Sequence, residues 1–229
     1  MTIFEGITFP KIIHEASSKY NGKISVVQVG ATRKLIVDRF VQSLNWKSPL
    51  CKKLVWGKIV EILKEEEPKL NNILILGLGG GTMPHLISKA FDEVQITSVE
   101  IDPVMVRIAR EYFDLEAIPN HRVVTADALS VVVDPTEFDV LQGSFQALIV
   151  DIYIGEKYPD LESSGNFVSA VKKMLIPGGL AVFNRIYIES HQDDVDDFVN
   201  QLEGFFKDLK SEVVAGYTNS DNILIYCRA

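Results

Sequence analysis

The chain has 229 residues, 47% hydrophobic and 24% charged, which fits one medium globular domain with a small appendage. A net charge of −8 argues against nucleic-acid partners, whose phosphates need clustered Lys and Arg, and weakly favours neutral or cationic substrates. No apolar run approaches the ~20 residues that cross a bilayer, and Met1 to Pro10 has no basic stretch leading into an apolar one, so neither a membrane partner nor a secretory signal is expected.

Residues 1–48 differ in character from residues 49–229. Ile24 to Gly30 and Lys34 to Asp38 read as two strands around Gly-Ala-Thr-Arg, which predicts a small N-terminal β-hairpin unit. Pro49 opens a predicted helix over 50–66, with Leu54, Val55, Ile59, Ile62 and Leu63 on one stripe and Pro68 beyond its end. Strand and helix then alternate. A strand over 72–77 leads to a helix that Thr82 can cap, with Pro84 in its first turn. The next strand, 95–100, leads to a helix started by Asp102-Pro103, where Asp102 reads as a cap and nothing more. Val104, Ile108, Ala109 and Tyr112 form its buried stripe. Strands are predicted at 121–126 and 146–151, with a loop over 136–145 between them. A helix at 164–175 turns through Pro177-Gly-Gly179 into a strand at 180–186. The segment 191–209 is the clearest helix, with Val195, Phe198, Val199, Leu202, Phe205, Phe206 and Leu209 at helical spacing. Two final strands, 211–217 and 222–228, flank a hairpin turn at Thr218-Asn-Ser-Asp221. This order predicts an α/β fold: a Rossmann-like, doubly wound, mostly parallel sheet with an antiparallel C-terminal hairpin.

Cys51 and Cys227 read as two reduced thiols, consistent with a cytoplasmic location. His14, His85, His121 and His191 show no ligand spacing, so no metal is expected. Met83, Met105 and Met174 read as core.

The run Ile73-Leu-Ile-Leu-Gly-Leu-Gly-Gly-Gly-Thr82 breaks an apolar strand into a glycine loop at the start of a helix. The next apolar strand ends on Glu100, in Val99-Glu-Ile-Asp-Pro103. Glycines allow close backbone approach, and an acid at the end of the second strand reaches ribose hydroxyls, so this layout suits an adenosine-type cofactor. A dinucleotide fingerprint would place a third glycine where Thr82 stands. An S-adenosyl nucleoside needs the glycine loop (Gly77, Gly79, Gly80, Gly81), the ribose acid (Glu100) and an adenine-edge group after the third strand (Asp127), and these occur in that order. Asp127 also reads as an ordinary loop residue, and the glycines also read as a tight strand-to-helix turn.

At these residues the chain resembles the spermidine/spermine synthase family and its neighbouring methyltransferases, within the class I S-adenosylmethionine-dependent methyltransferases. The resemblance covers Leu76-Gly-Leu-Gly-Gly-Gly81, Thr97-Ser-Val-Glu-Ile-Asp-Pro103, Ala126-Asp127-Ala128, Leu148-Ile-Val-Asp151, Leu175-Ile-Pro-Gly-Gly179 and the N-terminal hairpin carrying Gln42. It implies S-adenosylmethionine or its decarboxylated form as cofactor, with Gln42, Thr82 and Ala128 joining the glycines, Glu100 and Asp127 around it. It also implies an amine acceptor, small-molecule or protein, and a homodimer paired through the N-terminal region. The chain departs from the synthases at three places, one being Cys51-Lys-Lys-Leu-Val-Trp56, which replaces the Tyr- and Glu-containing stretch expected after the hairpin. Thr82 stands where the Asp clamping the aminopropyl amine is expected, and Ile154 where a second polyamine-holding Asp is expected. The Gly-Gly-Gly-Thr form looks closer to the spermidine-synthase-like methyltransferases.

Asp151 ends the fourth strand of the alternating region, where such sheets bind ligands, and reads either as the group that orients or deprotonates the acceptor or as a polar strand end. Tyr153, Glu156, Tyr158 and Asp160 follow as a cage for a cation or as an acidic surface loop. Three functions are carried forward. The first is an S-adenosylmethionine-dependent methyltransferase. The second is an aminopropyltransferase in which Glu156 or Asp160 replaces the missing anchor. The third is a non-catalytic nucleoside-binding or scaffold protein.

Overall fold

The computed structural model describes residues 9–153, 166–187, 192–216 and 221–229. In chain order its strands are β1 (Lys11–Ser18), β2 (Gly22–Val29), β3 (Thr32–Val37), β4 (Phe40–Leu44), β5 (Asn72–Leu76), β6 (Gln95–Glu100), β7 (His121–Thr125), β8 (Phe145–Val150), β9 (Leu175–Tyr187), β10 (Lys207–Val214) and β11 (Asp221–Arg228). The helices are α1 (Val55–Glu66), α2 (Thr82–Ala90), α3 (Pro103–Tyr112), α4 (Ala128–Val133), α5 (Asn166–Met174) and α6 (Gln192–Glu203).

The large sheet has seven strands in the order β10-β11-β9-β8-β5-β6-β7. Strands β9, β8, β5, β6 and β7 run parallel, while β11 is antiparallel to both β9 and β10. This is the predicted doubly wound sheet with its closing hairpin. The continuous apolar runs follow from burial on both faces. Side chains alternate across a strand, so Ile73 and Ile75 of β5 enter one core with α1 and α2, while Leu74 and Leu76 enter the opposite core with α5 and α6.

Several boundaries differ from expectation. The N-terminal unit is a four-stranded antiparallel sheet rather than one hairpin. β1 was hidden because its residues are only partly buried and do not alternate cleanly. Helix α1 starts at Val55, since the chain before it makes successive turns, Cys51 N–H to Ser48 O and Lys53 N–H to Leu50 O. α6 stops at Glu203, where Phe205 and Phe206 both donate to Leu202 O. Phe206 stays buried, edge-on to Phe183, so its apparent helical spacing comes from tertiary packing. α4 was not anticipated because its β-branched run, Val131 to Val133, reads against helix. In α3 the fully buried residues are Met105, Val106, Ile108 and Ala109; Val104 and Tyr112 are partly buried against the N-terminal sheet.

The small sheet lies against α3, with Ile24, Val26, Leu35 and Val37 packed on Met105, Ile108 and Phe113. A buried polar joint fixes this docking. Asp102 Oδ1 caps α3 by accepting from Val104 N–H at 2.9 Å. Its Oδ2 accepts from Ser18 Oγ at 2.5 Å and Asn21 Nδ2 at 2.7 Å, at the turn between β1 and β2. Asp102 is therefore a cap and also the pin between the two sheets. Asp102→Ala removes the cap and strands two buried donors, so urea unfolding should show a loss of about 3 kcal/mol. The two-residue turn between β3 and β4 holds Asp38 at φ 46° and Arg39 at φ 81°. Arg39→Gly relieves a left-handed non-glycine residue, and the same measurement should show a gain of about 1 kcal/mol.

Candidate functional site

β5 is flanked by β6 on one side and β8 on the other, so the connection leaving β5 runs to one side and the connection leaving β8 runs to the other. That divergence opens a crevice where α/β sheets bind ligands. Two main-chain bonds set its floor. Gly77 N–H donates to Val99 O at 2.8 Å, and Asp151 N–H donates to Leu76 O at 2.8 Å. Gly77 adopts φ +102°, and a Cβ there would lie 2.1 Å from Asp151 O. Any side chain at 77 would force the ends of β5 and β8 apart.

A cleft of about 200 Å³ lies over these strand ends. Gly77 and Gly79 line it, with Glu100, Asp127 and Ala128 from β6 and the turn after β7. Asp151 and Tyr153 line it from β8, and Gln42 from β4. Gly80, Gly81 and Thr82 are engaged elsewhere. Gly80 N–H donates to Ser43 Oγ at 2.8 Å, and Gly81 is the left-handed residue that starts α2. Thr82 is the first residue of α2, not its cap. It is 1% exposed, and its hydroxyl donates to Leu44 O at 2.5 Å and accepts from Leu44 N–H at 3.2 Å. The loop after β5 is thus sewn to β4, and the small sheet forms one wall of the cleft. These contacts account for part of the glycine run without a ligand.

Glu100 is 9% exposed. Its Oε2 accepts from Leu78 N–H at 3.2 Å and Gly79 N–H at 3.4 Å, and its Oε1 from Asp102 N–H at 3.0 Å. Burial pushes its carboxyl above the usual range, and these three donors oppose the shift. The expected ribose acid therefore also orders the glycine loop. Asp127 caps α4, its Oδ2 accepting from Ser130 N–H at 3.0 Å and Ser130 Oγ at 3.1 Å. Both readings of Asp127 meet here, since the cap stands at the cleft edge.

Asp151 is half-buried, and burial pushes its carboxyl up. Its Oδ1 accepts from Asn184 Nδ2 at 2.7 Å, which opposes that shift. Asn184 Oδ1 accepts from Asn222 Nδ2 at 2.9 Å, and Asn184 O accepts from Tyr153 OH at 2.6 Å. Asn184 and Asn222 were not anticipated. Asn184 did leave a signal, as the polar residue ending the apolar run Leu180-Ala-Val-Phe183. Asn222 left none. Among the described residues lining the cleft, three bear carboxylates and none is Lys, Arg or His.

Met83 and Met105 are buried as expected and also line the cleft. His85 stacks on Trp46 and bonds Phe113 O at 2.9 Å, while His121 bonds Ser98 Oγ at 2.9 Å. His14 bonds Tyr112 OH at 3.1 Å, so these three histidines serve separate contacts. Cys51 and Cys227 are free and buried in opposite cores. Ile154, Glu156, Tyr158, Asp160, His191 and residues 218–220 lie outside the described residues.

The chain is 28% identical over 173 residues to the polyamine aminopropyltransferase of Vibrio vulnificus, covering 74% of this chain and 56% of that protein. It is 29% identical over 158 residues to the eEF1A lysine and N-terminal methyltransferase of Mus musculus, covering 63% of this chain and 22% of that protein. The chain thus spans about half the length of the first and a smaller part of the second. The crystal structure of spermidine synthase from Thermotoga maritima superposes with a TM-score of 0.71 at 16% identity, covering 95% of this chain and 72% of that one, which shows a shared fold. The spermine/spermidine synthase domain model matches residues 54–228, which takes in every element from α1 to β11. The chain therefore belongs to the spermine/spermidine synthase domain family.

Proposed function

We propose that this protein is an S-adenosylmethionine-dependent methyltransferase that acts on an amine. The observation that carries this reading is Thr82. Its hydroxyl is spent on the main chain of Leu44, so the position after the triple glycine offers the cleft no carboxylate. A decarboxylated cofactor ends in an ammonium, and a buried ammonium needs such a partner to offset its desolvation. The residues present fit an S-adenosyl group. Gly77 and Gly79 leave the loop wall without side chains, Glu100 suits the ribose hydroxyls, and Asp127 with Ala128 suits the adenine edge. The mouse relative named a lysine methyltransferase supports the methyl-transfer reading.

Bound there, the sulfonium supplies an electrophilic methyl carbon and a neutral thioether leaving group. The chain must supply alignment and a place for the proton. Asp151 stands at the end of β8, on the cleft, next to the glycine loop. Its carboxylate accepts an N–H of the incoming amine, fixes the nitrogen lone pair toward the methyl donor, and receives the proton as the N–C bond forms. The three cleft carboxylates, with no Lys, Arg or His among the described lining residues, favour cationic ligands over anionic ones.

The same acidity favours a second reading. A cofactor without a carboxylate would meet less repulsion, which suits aminopropyl transfer, as does the name of the Vibrio relative. Thermal unfolding with each cofactor at equal concentration separates the two. S-adenosylmethionine should raise the midpoint more than its decarboxylated form, and at 100 times its Kd it should add about 2.7 kcal/mol of stability over the ligand-free protein. The reverse order would overturn methyl transfer, and no shift with either would favour a non-catalytic protein. Asp151→Asn should keep cofactor affinity within about twofold while lowering methyl transfer to butylamine or a lysine-containing peptide by about 100-fold. Transfer at the parent rate would remove Asp151 from the mechanism.

A further inference from the structure

Asn184 is 2% exposed and sits in a strand whose preceding residues, Leu180 to Phe183, are fully buried and apolar. A buried amide in such a run is costly unless its groups are bonded. Among the described residues its side chain bonds no main chain. Nδ2 donates to Asp151 Oδ1 at 2.7 Å, and Oδ1 accepts from Asn222 Nδ2 at 2.9 Å. The direction of this chain is set by chemistry. Asn184 turns its NH2 toward the accepting Asp151 Oδ1, which leaves its carbonyl facing Asn222. Asn222 donates from β11, the antiparallel neighbour of β9. The hydroxyl of Tyr153, two residues after Asp151, donates to Asn184 O at 2.6 Å and ties the start of that loop to the same residue.

We propose that Asn184, oriented by Asn222, is the positioning residue that keeps Asp151 ionised and fixed in rotamer for the acceptor amine. The inference rests on the acceptor role of Asp151 proposed above. Among the described residues, Oδ2 of Asp151 has no hydrogen-bond partner, so the Asn184 bond to Oδ1 leaves Oδ2 to the cleft. Burial works against the ionised form, and the amide donor works for it. Among the described residues the other titratable groups facing the cleft are Glu100 from β6, Asp127 after β7, Tyr153 after β8 and Tyr20 from the small sheet. Among the described residues none of these supplies a positive charge, and the Asn184 amide is the group that favours the ionised form of Asp151.

The test follows the Asp151 carboxyl by NMR in protein labelled at the aspartate carboxyl carbon, with the resonance assigned from Asp151→Asn. Asn184→Leu keeps a side chain branched at the same carbon without a donor and should raise the Asp151 titration by about one pH unit or more. Asn222→Val leaves Asn184 in place but unoriented and should shift it the same way by less, which keeps the test alive if the leucine variant does not fold. Both should bind S-adenosylmethionine within about twofold of the parent by calorimetry. With butylamine as acceptor, the low-pH limb of kcat should move up with the titration, and Asn184→Leu should lower the rate no further in an Asp151→Asn background. An Asp151 titration unchanged in the folded variants would overturn the proposal. A shifted titration in a protein whose parent methylates no amine would keep the Asn184–Asp151 coupling and overturn the acceptor reading instead.

Discussion

Two main-chain hydrogen bonds at the end of β5 organise everything above them. Gly77 N–H to Val99 O and Asp151 N–H to Leu76 O hold three strand ends together where the connections diverge. The glycine loop and Asp151 become neighbours although 74 residues of sequence separate Gly77 from Asp151. Because a Cβ at 77 would collide with Asp151 O, the contact is a backbone approach that tolerates glycine alone. The spacing of the glycine loop and Asp151 on the cleft is thereby fixed by one covalent feature, the missing Cβ.

The small sheet completes the site through polar joints that the large sheet provides. Ser43 and Leu44 of β4 bond Gly80 and Thr82, and Ser18 and Asn21 bond Asp102. Asp102 in turn donates its N–H to Glu100 Oε1. Glu100, the glycine loop, the cap of α3 and the N-terminal sheet therefore belong to one hydrogen-bonded unit. Tyr20, Asn21 and Gln42 can stand over the cleft because this unit holds them there.

The electrostatics of the cleft follow from the same arrangement. Glu100 and Asp151 are both pushed up by burial, and each is held down only by neutral N–H donors, main-chain for Glu100 and an asparagine amide for Asp151. Carboxylates stabilised this way remain attractive to an incoming cation, because no resident Lys or Arg on the described walls has already neutralised them. A sulfonium and an amine are ligands of that kind.

Much of this was legible in the residues. The apolar runs of β5, β6 and β8, the glycine loop, Glu100 at the end of β6 and Asp151 at the end of β8 declare a nucleoside-type α/β crevice, because burial on both faces and close backbone approach each demand a narrow set of residue types. What stayed hidden depends on contacts between distant segments. Phe206 looked helical because it packs on Phe183 from beyond the end of α6. Thr82 looked like a cap because its partner, Leu44, comes from another sheet. Asn184 looked like an isolated polar residue because Asp151 and Asn222 reach it only across neighbouring strands. By itself the sequence determined the strand order of chemistry, since periodicity and glycine spacing are local properties of the chain. Which side chains touch, and so which carboxylate accepts an asparagine amide at the cleft and which loop is sewn to which sheet, was decided by tertiary structure alone, because those hydrogen bonds join residues that only folding brings within 3 Å.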